Sequence, residues 1–93
     1  MSEQTRVSKL ARIRCRPGQA DALRAALVEL ETATRSEPGC HEFSFFQALS
    51  DEGLFALLEQ FENEAALQSH LQAPYTQRFF ALDLVNDLSV QVL

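Results

Sequence analysis

The stretch CHEFSFFQALSDEGLFALLEQF, residues 40–61, decides the fold. From Cys40 to Leu49 the side chains alternate, with His41, Phe43, Phe45 and Gln47 on one face and Cys40, Ser44, Phe46 and Ala48 on the other. That period of two is the mark of a strand. Ser50-Asp51-Glu52-Gly53 forms a turn cluster. The chain then returns as a second strand over Leu54–Phe61, apolar on both faces, which predicts a hairpin.

A helical pattern and a further strand lie on each side of this hairpin. Upstream, Val7–Cys15 reads as a strand, with Ala11, Ile13 and Cys15 on one face and Leu10, Arg12 and Arg14 on the other. Pro17-Gly18 ends it and opens a helix, whose first turn holds Asp21 where the helix dipole favours a carboxylate. Leu23, Ala26, Leu27, Leu30 and Ala33 form one apolar stripe. Glu31 and Arg35 are spaced to pair weakly, and Glu37-Pro38-Gly39 stops the helix. Downstream, Asn63 suits a cap for a helix on which Ala66, Leu67, His70 and Leu71 share a side. Pro74 starts a further helical turn through Phe79 and Phe80. Leu84–Leu93 alternates again, with Asn86 interrupting its apolar set.

The order β-α-β-β-α-β predicts a ferredoxin-like α+β fold: a four-stranded antiparallel sheet, first and third strands adjacent, both helices on one face. The open sheet face carries apolar side chains, and water is a poor partner for it. A homodimer packed sheet to sheet is therefore expected, with any pocket between the sheet and its helices or the partner.

Composition narrows the function classes. The 93 residues suit one domain spanning 1–93. Eight Lys and Arg against 13 Asp and Glu give a net charge of -5 and a pI of about 4.9. A nucleic-acid partner is disfavoured, because such affinity comes from cationic neutralisation of phosphates. No apolar run reaches the roughly 20 residues that span a bilayer. The start, Met1-Ser2-Glu3-Gln4-Thr5-Arg6, is polar and lacks a signal-peptide core, so a cytoplasmic protein is expected. Cys15 and Cys40 are too few for a disulfide framework and read as small buried hydrophobes. His41 and His70 form no metal-binding spacing, so no metal is expected.

Three segments in order carry a resemblance: Glu37-Pro38-Gly39-Cys40, then Glu59-Gln60-Phe61-Glu62-Asn63-Glu64-Ala65-Ala66-Leu67, then His70 ahead of Ala73-Pro74. Together, from Val7 to about Leu93, they resemble the antibiotic biosynthesis monooxygenase family of small dimeric α+β barrel proteins. The resemblance implies oxygen addition to a phenolic or quinol substrate with no metal or flavin cofactor. Such chemistry needs a dry aromatic cavity, proton-transfer groups and polar groups that orient the phenol. The chain departs from the family pattern at Phe61, where many members have Trp, and at Tyr75, where many have a second His. It has no tryptophan, which sets it apart from the haem-degrading branch.

The candidate site residues each carry two readings. His70 is either a satisfied core histidine or the pocket's general acid or base, its class titrating near neutral pH. Glu59 shares a face with Phe55, Leu57 and Phe61, and is either paired with Arg12 or Arg14 or a catalytic base. Tyr75 either offers its hydroxyl to a substrate oxygen or packs amphipathically. Asn86 is a ligand anchor or a paired polar group at a dimer seam. Phe45 and Phe61 suit an aromatic ligand and equally a small core. Beside the quinol or phenol monooxygenase stand two rivals: a non-catalytic dimeric module that binds a small apolar metabolite, and an oxygen-independent isomerase in the same pocket.

Overall fold

In the computed structural model, β1 (Val7–Cys15) runs through the middle of the sheet and pairs antiparallel with β3 (Asp51–Phe61) on one side and β4 (Val85–Val92) on the other. The structure describes residues 5–93, so the reading of residues 1–4 as a polar start lies outside it. β2 (Cys40–Ala48) flanks β3, and the strand order is β2-β3-β1-β4. The helices are α1 (Ala20–Thr34), α2 (Glu64–Gln72) and α3 (Pro74–Ala81). This is the expected ferredoxin-like order, with the second helical region divided at Ala73-Pro74. Pro74 has no N–H to continue α2 but suits the first turn of α3.

The parity read from the sequence governs the packing. Ala11 and Ile13 of β1, Phe43 of β2, and Phe55, Leu57 and Phe61 of β3 turn to the helices and are buried. Leu23, Leu27 and Leu30 of α1 and Leu67 of α2 close over them. The other sheet face presents Leu10, Leu54, Ala56 and Leu58, with Phe46 half exposed. Asn63 caps α2 as expected, its side chain accepting from the Ala66 N–H at 2.9 Å.

The hairpin turns earlier than the sequence suggests. Leu49-Ser50 make the turn, and Asp51 already pairs with Ala48. The turn-forming residues Asp51 and Gly53 serve instead an irregularity at the start of β3, where pairing jumps from Gln47↔Phe55 to Ala48↔Asp51. The Asp51 carboxylate accepts from the Gly53 N–H and from Arg14, both at 3.0 Å.

A second irregularity displaces Asn86. Asp87 pairs with Arg14 and Val85 with Cys15, so Asn86 is the extra residue of a β-bulge. Val85 thereby joins Leu88 and Val90 on the helix side, a shift of parity that simple alternation misses.

Two further features fix α1 and α2 on the sheet. The outer edge of β2 is closed by α1: Glu31 accepts from the Phe45 N–H at 2.8 Å, and Arg35 donates to the Phe43 carbonyl at 3.0 Å. The Glu31–Arg35 pair itself is loose at 3.7 Å. Gly39 lets α2 approach the start of β2, since a Cβ there would lie 2.6 Å from Ala66 Cβ.

Candidate functional site

Between the helices and the sheet lies a cavity of about 380 Å³, in the range that takes a small organic ligand. Its wall is mostly apolar: Leu27, Leu30, Phe43, Phe45, Leu57, Leu67, Phe79, Leu88 and Val90 among others. Lys9, Glu59, His70 and Asp83 supply its ionisable groups.

His70 reaches this wall because the capped α2 turns Leu67 and His70 inward on one side. Its side chain is only 4% exposed. The ring packs in a cluster with two phenylalanines, its centroid 5.0 Å from Phe43 and 5.2 Å from Phe61. His70 Nδ1 stands 3.0 Å from Glu37 Oε2, and the Tyr75 hydroxyl donates to the same oxygen. Burial, and then the Glu37 carboxylate, push the Tyr75 phenol up to about 12, so it stays a donor. Glu37 and Tyr75 are absent from the cavity wall and hold His70 from behind.

Glu59 faces the cavity from β3, directly opposite Lys9 of β1. Desolvation pushes its carboxyl above the usual range, and the His70 and Lys9 charges pull it partly back. The expected partners Arg12 and Arg14 are corrected to this setting. Even-numbered β1 residues point to the other face, where Arg14 binds Asp51 at 3.0 Å.

Among the sequence candidates, the structure therefore brings His70, Glu59 and Phe45 together around one cavity. Phe61 is fully buried behind them and supports the His70 ring. Tyr75 does not offer its hydroxyl to the cavity, because Glu37 holds it. Asn86 does not reach the cavity either: the β4 bulge leaves it exposed.

Sequence reasoning missed Glu37, whose place before Pro38 explained it fully as a helix stop. It also missed Lys9, although Lys9 shares the parity of Ala11 and Ile13, and that signal was available. Cys40 is half-buried, with its thiol pushed up by burial, and Cys15 is likewise half-buried; both are free. Among the described residues, no three His, Cys, Asp or Glu side chains cluster as a metal site, and no helix is long and apolar enough to cross a membrane.

A family model described as antibiotic biosynthesis monooxygenase matches residues 6–82. A Mycobacterium tuberculosis protein named "Putative monooxygenase Rv0793" is 35% identical over 69 residues, covering 74% of this chain and 67% of its own. Its solved structure superposes with a TM-score of 0.85 at 30% identity, over 96% of this chain and 93% of that one. The crystal structure of PA3566 from Pseudomonas aeruginosa gives a TM-score of 0.91 at 29% identity, over 100% and 96% of the two chains. An uncharacterised Synechocystis protein is 41% identical over 46 residues, which is 50% of this chain. The matched segment spans only 31% of that protein's length. The family description and the mycobacterial name support a monooxygenase-like function.

Proposed function

The chain belongs to the antibiotic biosynthesis monooxygenase family, and on that footing we propose that it is a cofactor-independent monooxygenase of a hydroquinone or phenol. The observation that carries this reading is an inward-facing His70 sharing an aromatic-walled cavity with Glu59 and Lys9.

The reduced substrate itself supplies the electrons. A hydroquinone plus O₂ balances as a hydroxyquinone plus water: one oxygen atom enters the ring, and the other leaves as water with two of the substrate's hydrogens. The step that the protein assists is removal of a hydroxyl proton, which makes an electron-rich anion able to reduce O₂. His70 is the proton acceptor in this scheme. The Lys9 ammonium favours the developing anion electrostatically, and more strongly in an apolar cavity than in water. Glu59, with its raised carboxyl, serves as a second proton-transfer group. Phe43, Phe45 and Phe79 supply flat apolar area for an aromatic ring and limit water.

A homodimer completes the reading. Leu10, Leu54, Ala56, Leu58 and Phe46 on the open sheet face favour sheet-to-sheet packing.

The experiment is oxygen uptake by metal-stripped protein against hydroquinones, naphthohydroquinones and anthrone-like phenols, with His70→Ala alongside. Uptake above autoxidation that collapses in the variant is expected. A folded His70→Ala protein with full activity on a confirmed substrate refutes the assignment of His70. One observation favours a second reading, a non-catalytic binding module: the Tyr75 hydroxyl is engaged by Glu37 and gives the cavity no phenolic donor. Ligand retained through purification, with no turnover in air, would favour it.

A further inference from the structure

We propose that Glu37 locks the His70 imidazole in the tautomer whose cavity-side nitrogen accepts a hydrogen bond, making this site a receptor for hydroxyl-bearing aromatics that rejects their carbonyl and ether counterparts. The inference rests on the proposed aromatic ligand, but its chemistry comes from Glu37, His70 and Tyr75.

Glu37 Oε2 lies 3.0 Å from His70 Nδ1 and also accepts from the Tyr75 hydroxyl. An ionised carboxylate is acceptor-only, and imidazole is the stronger base of the two classes, so the shared proton sits on Nδ1. In the neutral ring one nitrogen donates and the other accepts. Nε2, on the ring edge away from Glu37, is therefore the acceptor, and it has no protein partner among the described residues. Packing against Phe43 and Phe61 hinders the ring from turning over to exchange its two nitrogens. Tyr75 holds the carboxylate in place from its other side, so Glu37 and Tyr75 are positioning residues.

This arrangement selects a ligand by its proton. A phenol or hydroquinone O–H donates to Nε2, whereas a quinone carbonyl or an aryl ether would set two acceptors against each other. A site built to bond a hydroxyl discriminates strongly against an analogue without one, since its own polar group is left unpaired.

Two measurements test this without any turnover. Nitrogen-resolved NMR of labelled His41→Asn protein, in which His70 is the sole imidazole, reads the tautomer in mildly alkaline solution. The Nδ1–H form should dominate, and Glu37→Ala should shift the ring toward the Nε2–H form that free histidine favours. Tyr75→Phe keeps the Glu37 contact and should retain the Nδ1–H form. An Nε2–H ring in the parent protein, or a tautomer unchanged by Glu37→Ala, overturns the lock. Calorimetry then compares naphthol with methoxynaphthalene, which differ by that one donor. Binding of naphthol at least about ten-fold tighter is expected, with the preference lost in Glu37→Ala. Equal affinities, or no binding of naphthol at millimolar concentration, overturn the receptor. Neither readout depends on oxygen, so a failed oxygenase assay leaves this inference standing, and the reverse also holds.

Discussion

Glu37 Oε2 and His70 Nδ1 meet at 3.0 Å across 33 positions of sequence, joining the loop behind α1 to the inward side of α2. The Glu37 side chain is only 17% exposed and that of His70 4%. Each therefore depends on the other, and on Tyr75, for its hydrogen bonds. Removing one partner from such a cluster leaves a buried polar group unpaired, at a cost of roughly 1–3 kcal/mol.

The chain's single tyrosine makes this cluster visible to a simple spectrophotometer. With no tryptophan present, tyrosinate absorbance in an alkaline titration reports Tyr75 alone. Its midpoint should fall near 12, or at the pH where the chain unfolds if that comes first. Folding holds this proton more tightly than the unfolded chain does. The associated stability is thus complete below about pH 10 and lost as the pH rises toward about 12. Glu37→Gln should bring the midpoint only partly back, since burial is the larger cause. A midpoint near the ordinary tyrosine value in natively folded protein would contradict the Tyr75–Glu37 contact.

Glu59 faces an apolar cavity with a carboxyl raised by desolvation. Raised binding of that proton in the folded state means that stability falls as pH rises through the folded value. Glu59→Gln should therefore flatten the fall in urea midpoints as the pH rises above the ordinary carboxylate range, and raise them at neutrality. The gain is small, because part of the carboxyl's hydration remains and the His70 and Lys9 charges offset part of the burial. If Glu59→Gln instead lowers stability at neutral pH, Lys9 and His70 hold the carboxylate more strongly than burial penalises it.

Gly39→Ala would put a methyl group 2.6 Å from Ala66 Cβ, too close for either backbone to keep its place. A loss of about 1–3 kcal/mol is expected, as for overpacking elsewhere. Ala66→Gly in the same protein should recover part of it, less the roughly 1 kcal/mol cost of a helical glycine. A double-mutant cycle by chemical denaturation reads the coupling, and strict additivity would count against the close approach.

The guarded edge of β2 gives a different kind of expectation. Replacing both Glu31 and Arg35 with Ala frees the Phe45 N–H and the Phe43 carbonyl along that edge. Unprotected edges recruit further strands. Light scattering should show concentration-dependent association absent from the parent, with folded secondary structure retained by circular dichroism. An unchanged scattering profile would mean that these two side chains are dispensable as guards.

Much of this protein was legible in one dimension. Periods of two and of three to four residues, with Pro17, Pro38, Asn63 and Pro74 as punctuation, specify the order of elements, because burying one face imposes those spacings locally. The same parity turned His70 and Glu59 inward, and it carried Lys9 with them. Where pairing slips, local pattern is blind. The bulge opposite Arg14–Cys15 removed Asn86 from the cavity, and the irregularity at Asp51–Gly53 moved the turn to Leu49-Ser50. Registers of this kind depend on the neighbouring strand and on contacts such as Asp51 with Arg14. The sequence by itself determined the fold and the inward-facing histidine. Only the tertiary structure decided that Glu37 holds that histidine and occupies Tyr75, since a hydrogen bond between a loop and two helices leaves no periodic trace along the chain.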